Sequence, residues 1–350
     1  MIKAEIVAHS VSPQGEELIS VLATFPRIIL AEVNTHRMLS KNTSSSRAIP
    51  FLKMVETIEN NPFIPIAWQK DHKGMQGTEY FTDVKDVILR QSQWLNARTK
   101  AVVSAKALNE SQVTKQLTNR LLEPFMWTTM LITGSKSGWD NFFRLRCPSY
   151  EYSAAIFKSR KDLTKTTVHA ENFTNLDWLK MNKGQAEIHI MDLAEKIWDA
   201  RNESTPKQLK AGEWHIPFED KITRFSTLPL NETTSLSELE TNILHNKIFI
   251  SVAMGARTSY TTVGEEKEIN PETLMGLHDR LLTWDPPHSS PFEHCARAMD
   301  NDEFTSFIRG DIYALNEKTP QEVYSPVLGW CYNLKGFIPY RYLVDNSLTL

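Results

Sequence analysis

The sequence predicts a soluble globular chain that mixes strands with helices, and three observations carry the expectation. Apolar runs of strand length stand at residues 2–8 and at Arg27-Ile-Ile-Leu-Ala-Glu-Val33. From Val84 to about Leu108, apolar residues at Val84, Val87, Ile88, Trp94, Leu95 and Val102 recur at helical spacing. The 350 residues, 41% of them hydrophobic and nine of them Trp, are enough to bury a sizeable core, in one large domain or roughly two.

The remaining elements follow in order. Ser12 as cap with Pro13 at the first position predicts a helix start ahead of Leu18-Ile-Ser-Val-Leu-Ala23. Met54-Val-Glu-Thr-Ile58 predicts one or two helical turns, and the prolines and glycines of residues 59–82 predict a loop beside the polar cluster it follows. Asn109-Glu-Ser-Gln112 predicts another helix start, with Val113, Leu117 and Leu121 on one face before Pro124 interrupts it. Trp139 to Cys147 and the run through Ile190, Leu193, Ala194, Ile197 and Trp198 read as amphipathic helices. Gly212-Glu-Trp-His-Ile-Pro217 reads as an extended segment in which His215 is structural. Residues 219–242, rich in Thr, Ser and Glu, predict a linker. Asn333 to Arg341 reads either as an edge strand carrying Pro339 or as a pseudo-repeat of the run before His36.

Composition excludes several function classes. A net charge of −3 leaves no general polyanion footprint, which argues against a nucleic-acid polymer as partner and favours local basic pockets. Cys147, Cys295 and Cys331 have neither metal-type spacing nor an even count, so a reducing, cytoplasmic setting is the simplest reading. No window approaches the ~18 apolar residues of a membrane span, and the first ten residues lack a long apolar run. His-x-Glu with Pro-Cys-x-x-Cys is missing, as are the glycine-rich phosphate loops, which removes zinc pyrimidine deaminases, nucleotide kinases and Rossmann dehydrogenases.

The stretch around which the chain is organised is residues 34–50. It holds His36, Arg37, Ser40, Asn42, Ser44, Ser45, Ser46 and Arg47, with no large hydrophobe between Leu39 and Ile49. Two arginines, an imidazole and a run of hydroxyls suit an anionic ligand, because the guanidinium fork and the turn amides supply convergent donors. A polar loop that caps a helix is the alternative.

His36-Arg37, Ser45 and Arg47 resemble the signature of flavin-dependent thymidylate synthases, Arg-His-Arg, then seven residues, then Ser-x-Arg. Thr35 stands in place of the first arginine, and Thr43 where many relatives carry glutamate. Asn141-Phe-Phe-Arg-Leu-Arg146 and Arg120-Leu-Leu-Glu-Pro124 are similar to two further segments of that family. Gly184-Gln-Ala-Glu-Ile188 resembles a segment that in the family follows the arginine closely, which implies an insertion over about residues 148–183. Ala256-Arg-Thr-Ser-Tyr260 and His288-Ser-Ser-Pro-Phe-Glu-His294 resemble segments that usually precede the signature and here follow it. The order implies a circularly permuted, phage-type member.

The resemblance implies an α+β fold, a mixed or antiparallel sheet with helices. Residues 1–218 would carry the nucleotide and flavin signature, and 243–350 would complete the flavin site. It implies FAD-dependent methylation of dUMP to dTMP, with NADPH and methylenetetrahydrofolate as co-substrates, in a homo-oligomer (tetramer or dimer) that binds its ligands between subunits. Ser45, Ser46, Arg47, Arg120 and Arg146 would bind substrate, with Arg146 and Ser45 catalytic. His36, Arg37, Asn141, Ser259, His288 and Ser290 would line FAD, and neither a metal nor an enzyme thiolate is required. Cys147, after Arg144 and Arg146, is the one cysteine with the cationic sequence neighbours that a conventional thymidylate synthase would use, and a buried inert thiol is the other reading. The departures at Thr35 and Thr43 keep two alternatives open: a related dCMP or dUMP methylase or hydroxymethylase, and a non-catalytic nucleotide- or flavin-binding paralogue.

Overall fold

The computed structural model describes residues 1–73, 77, 79–222, 236–261, 270–285, 287–308 and 327–350. The first part of the chain runs β1 (Lys3–Val11), β2 (Glu17–Pro26), α1 (Leu30–Asn34), β3 (Ser40–Thr43), α2 (Phe51–Asn60), α3 (Val84–Glu110), α4 (Lys115–Thr118), β4 (Trp127–Ser135) and α5 (Lys136–Arg146). A small excursion follows, with β5 (Tyr150–Tyr152), β6 (Ala155–Phe157), α6 (Arg160–Thr166) and α7 (Asn175–Met181), before α8 (Ile188–Glu203). The rest contributes β7 (Lys207–Gln208), β8 (Trp214–His215), α9 (Glu219–Ile222), α10 (Leu236–Arg257), α11 (Pro271–Thr283), β9 (Ala296–Ala298), α12 (Asn301–Ser306), β10 (Trp330–Cys331), β11 (Leu334–Lys335), β12 (Phe337–Pro339) and a last helix, Tyr340–Asp345.

The fold is α+β. Its main sheet has the order β3-β4-β2-β1-β7, antiparallel throughout except for the parallel β1–β7 edge. β2 lies at the centre, paired with β4 from Leu18↔Ser135 to Pro26↔Trp127. Successive side chains of a strand point to opposite faces, and both faces here are covered. Ile19, Val21, Ala23 and Phe25, with Met130 and Ile132, pack on Trp139, Phe142 and Phe143 of α5 and on Ile190, Leu193 and Ile197 of α8. On the other face Leu131, with Val7 and Leu22, meets Ile248, Val252 and Ala256 of α10 and Leu274 and Leu281 of α11. Trp214, Ile216 and Phe218 belong to that second core, which ties the β8 region to the C-terminal helices.

Three sequence expectations are corrected here. Leu18 to Ala23 is a strand and not a helix, because its continuous apolar run is buried on two faces between β1 and β4. Pro13 lies in the hairpin turn ahead of it, where Gly15 takes a φ of +80° and its N–H donates to Ser12 O at 2.9 Å. Arg27 to Val33 is a 3-10 turn leading into α1, not a strand. Pro26 ends the β2 ladder, and the buried Ile29 and Val33, four residues apart, share one helical face in the same core. The helix expected from Asn109 also shifts: α3 continues to Glu110, and the next turn starts at Thr114, whose hydroxyl caps Gln116 N–H. Pro124 sits inside a 3-10 turn, Asn119–Phe125.

Helices near 54–58, 84–108, 139–147 and 188–198 stand where periodicity places them. Pro339 lies on an edge strand, in the sheet β12-β9-β8, and Arg341 in the helix after it. Of the residues read as a linker, 219–222 and 236–242 are helical, and 223–235 lie outside the described residues. The excursion after α5 gathers around its own apolar cluster of Tyr150, Leu163, Ala170 and Trp178. No helix among the described residues is long and apolar enough to cross a membrane.

Trp139 has no exposed surface and donates from Nε1 to Ile19 O at 3.2 Å, joining α5 to the central strand. Trp139→Ala is expected to lower unfolding stability by roughly 3–5 kcal/mol in urea denaturation. A loss below about 1 kcal/mol would contradict this packing.

Candidate functional site

The polar residues singled out in the sequence gather along β3. This short strand pairs with β4 (Ser40↔Thr133 to Thr43↔Met130), and the 3-10 turns Thr258–Tyr260 and Ser290–Glu293 pack against it. Asn42 joins the layers: its Nδ2 donates to Gly255 O at 2.5 Å and to Thr258 Oγ1 at 3.3 Å. Segments far apart in sequence therefore meet around four residues.

Ahead of β3, α1 ends at Asn34 and delivers Thr35 and His36. The buried His36 ring lies edge-on to Phe142 of α5, with centroids 4.9 Å apart. One turn further along α5, Arg146 donates from Nε to His36 Nε2 at 2.9 Å and from Nη2 to Thr35 Oγ1 at 3.3 Å. An Nε2 that accepts places the neutral ring's proton on Nδ1. Burial first, then the nearby Arg146 and Lys41 charges, push His36 down to about 4. Lys41 Nζ donates to His36 O at 2.5 Å, and burial, opposed by Glu293, brings it down to about 8. The threonine at position 35 thus accepts a hydrogen bond where an arginine would set a like charge beside Arg146.

Beyond β3, residues 44–47 form a tight loop. Ser45 N–H donates to Ser259 O at 2.7 Å, and Ala48 N–H closes on Ser45 O at 3.0 Å. Arg27 donates from Nη1 to Ser44 O at 2.8 Å and from Nη2 to Glu123 Oε1 at 3.3 Å. The same Glu123 oxygen accepts from Ser46 Oγ at 2.5 Å. Burial lowers the Arg27 pKa, Glu123 opposes this, and Arg120 and Arg47 stand close enough to repel its charge. Three guanidinium groups against one carboxylate leave an excess of positive charge, and Arg47 and Arg120 are exposed to an incoming anion.

The structure brings Arg146 to His36 and sets Ser45, Ser46, Arg47 and Arg120 in the second group, at the opposite end of β3. Ser259 joins that group through its carbonyl. Asn141 lies on α5, where its Oδ1 accepts from Arg144 Nη2 at 2.8 Å. Arg37 and His288 are exposed, and Ser290 opens the turn that packs on β3. Among the described residues, no hydrogen bond or ion pair joins Arg37, Asn141 or His288 to the guanidinium group around Ser44–Ser46. Sequence reasoning singled out Asn42 only as part of the polar run and missed Arg27, Lys41 and Glu123. Arg27 was read as strand, and Glu123 lies 96 residues from it in sequence.

Cys147 is buried and its thiol is pushed far up, chiefly by desolvation; Cys295 and Cys331 are pushed up to about 12 for the same reason. Protonated thiols make poor nucleophiles, so the inert reading of Cys147 holds.

Because folding depresses His36 from 6.5 to about 4, its contribution is present above pH 6.5 and is lost as pH falls through 4. His36→Gln keeps an acceptor for Arg146 and removes the titration. It is expected to flatten the stability loss between those pH values by about 1–3 kcal/mol, read from urea midpoints against pH. An unchanged acid limb would contradict the assignment.

No family model and no curated protein matches this chain. Among solved structures it is similar to the UMP/dUMP methylase PolB from Streptomyces cacaoi bound with 5-Br UMP, at 14% identity and a TM-score of 0.40, over 58% of this chain and 89% of that one. The same enzyme bound with 5-Br dUMP gives 14% identity and a TM-score of 0.36, over 57% and 95%. Thymidylate Synthase X (ThyX) from Helicobacter pylori, with FAD and dUMP, gives 17% identity and a TM-score of 0.24, over 47% and 71%.

Proposed function

We propose that this chain is a permuted relative of the flavin-dependent thymidylate synthases that methylates C5 of dUMP, with FAD, NADPH and methylenetetrahydrofolate. The observation that carries the reading is the pairing of two cationic groups across β3. Arg27, Arg47 and Arg120 surround the Ser44–Ser46 loop, and Arg146 is held by His36 and Thr35 one short strand away. A four-residue strand spans about 10–13 Å, the scale of a mononucleotide. Phosphate fits the first group, because a phosphomonoester carries close to two negative charges and rewards bidentate arginine. The pyrimidine carbonyl edge fits Arg146, which would stabilise negative charge as the ring becomes nucleophilic.

FAD supplies the reducing equivalents for such a transfer. The donor set fits it: the exposed Arg37 offers a cation for a pyrophosphate, Ser259 and Ser290 offer donors and acceptors in turns that pack on β3, and Asn141 and His288 offer further polar groups. His36, neutral at working pH, orients Arg146 rather than adding a charge. Exposed apolar side chains on α2 and α3, among them Leu52, Val84, Ile88 and Val103, suit packing against a second copy in a cytoplasmic homo-oligomer. Thr35 and Thr43 favour a second reading, a sister C5 methylase or hydroxymethylase acting on dCMP or dUMP.

Incubation of the purified chain with FAD, NADPH, methylenetetrahydrofolate and C5-tritiated dUMP is expected to release tritium and yield dTMP. A 5-hydroxymethyl product, or turnover of dCMP alone, would select the second reading. Release of no tritium from either nucleotide would leave only a binding protein. Arg47→Ala and Arg120→Ala should each weaken dUMP binding by roughly 10–100-fold in calorimetry; unchanged affinity would place the phosphate elsewhere.

A further inference from the structure

A line of hydrogen-bonded side chains crosses the molecule between the main sheet and its C-terminal cover. Ser10 Oγ bonds His215 Nδ1 at 2.9 Å, and His215 Nε2 bonds Ser20 Oγ at 2.9 Å. Ser20 Oγ bonds Thr133 Oγ1 at 2.6 Å, and Thr133 Oγ1 bonds His294 Nδ1 at 2.8 Å. All five residues are buried, none of them more than 3% exposed. Ser20 lies between Leu18 and Leu22 on β2, and Thr133 is its register partner on β4. Both therefore stand on the face turned away from Ile19, Val21 and Ile132. An apolar filling of that face would avoid the cost of burying five polar groups, so the line calls for a role beyond packing.

Its two ends differ. Ser10 lines a cleft of about 310 Å³ together with Ser204, Lys207 and Glu219. At the other end, His294 Nε2 is buried without a hydrogen-bond partner. His294 directly follows Glu293, whose carboxylate pairs with Arg341. An imidazole nitrogen buried without a protein partner is costly, which points to a group that binds there.

The donor count constrains the line further. Each neutral imidazole carries one proton and each hydroxyl carries one. Burial pushes both histidines down to about 3, so both are neutral near pH 7. Of the orders that satisfy every link, two run in one direction from end to end, as a relay requires. Either all donors point toward His294, with both histidines protonated on Nε2, or all point toward Ser10, with both protonated on Nδ1.

We propose that Ser10, His215, Ser20, Thr133 and His294 form a single-file proton relay between the Ser10 cleft and His294 Nε2. In the forward transfer, His294 gives its Nε2 proton to a hydrogen-bonding acceptor bound there and receives one on Nδ1 from Thr133. Thr133 is resupplied by Ser20, Ser20 by His215 Nε2, and His215 Nδ1 by Ser10, which takes a proton from cleft water. One proton enters, one leaves, and the order of the line reverses. The proposal rests on this geometry and is independent of the nucleotide reading.

Ring 15N spectra of histidine-labelled wild-type protein test the order without any substitution. His215 and His294 are expected to be protonated on the same nitrogen; protonation on different nitrogens overturns the proposal. Conduction is tested with Ser10→Ala, at the cleft end. Exchange of the His294 ring proton with solvent should slow by roughly tenfold or more, with backbone amides of β2 and β4 exchanging as in wild type. Equal ring exchange in the two proteins, or a change matched by those amides, overturns the relay. Failure of this test leaves dUMP binding untouched, and failure of dUMP binding leaves these spectra unchanged.

Discussion

The antiparallel pairing of β2 with β4 is the interaction on which the rest depends. Nine register pairs, from Leu18↔Ser135 to Pro26↔Trp127, hold a strand that is buried on both faces. Its odd-numbered side chains anchor α5 and α8, and the other face of the same sheet receives α10 and α11. β4 then serves as the template for β3, and β3 carries the candidate site. A slip of β4 by one residue in this register would turn Thr133 into the α5 core and move β3 with it. Fold and site share one constraint.

From that frame, the candidate site is a set of neighbours made by topology. Thr35 and His36 come from the end of α1, Arg146 from α5, and the Ser44–Arg47 loop from the far end of β3. Ser259 and Ser290 arrive from the last third of the chain, in turns that pack against the same strand. An order of segments that looks rearranged in sequence is compatible with a compact arrangement, because β3 meets both halves. Asn42 fixes that meeting with two hydrogen bonds from one amide.

Much of this is legible in the sequence alone. The long helix α3, the α5 turn carrying Phe142 and Arg146, and the polar run at 34–50 declared themselves through spacing and composition. What was not legible depended on burial. Leu18 to Ala23 offers no alternation because both faces are covered, so a cap-like Ser12-Pro13 pair ahead of it suggested a helix. Arg27 to Val33 looks like a strand until Ile29 and Val33 are seen to share one buried face. Arg27 and Glu123 are 96 residues apart, and their contact through the Ser44–Ser46 loop leaves no local pattern. Lys41 and His36 are shifted by desolvation, a property of the packed interior and not of the residue types.

The central claim is that flavin and nucleotide share the space around β3. Visible absorption of the purified chain, recorded with added FAD and then with dUMP, tests it most directly. The account predicts a protein-bound flavin spectrum that dUMP perturbs in the wild type and leaves unperturbed in Arg146→Ala. A chain that binds no flavin at any concentration, or whose flavin spectrum dUMP never changes, would contradict it.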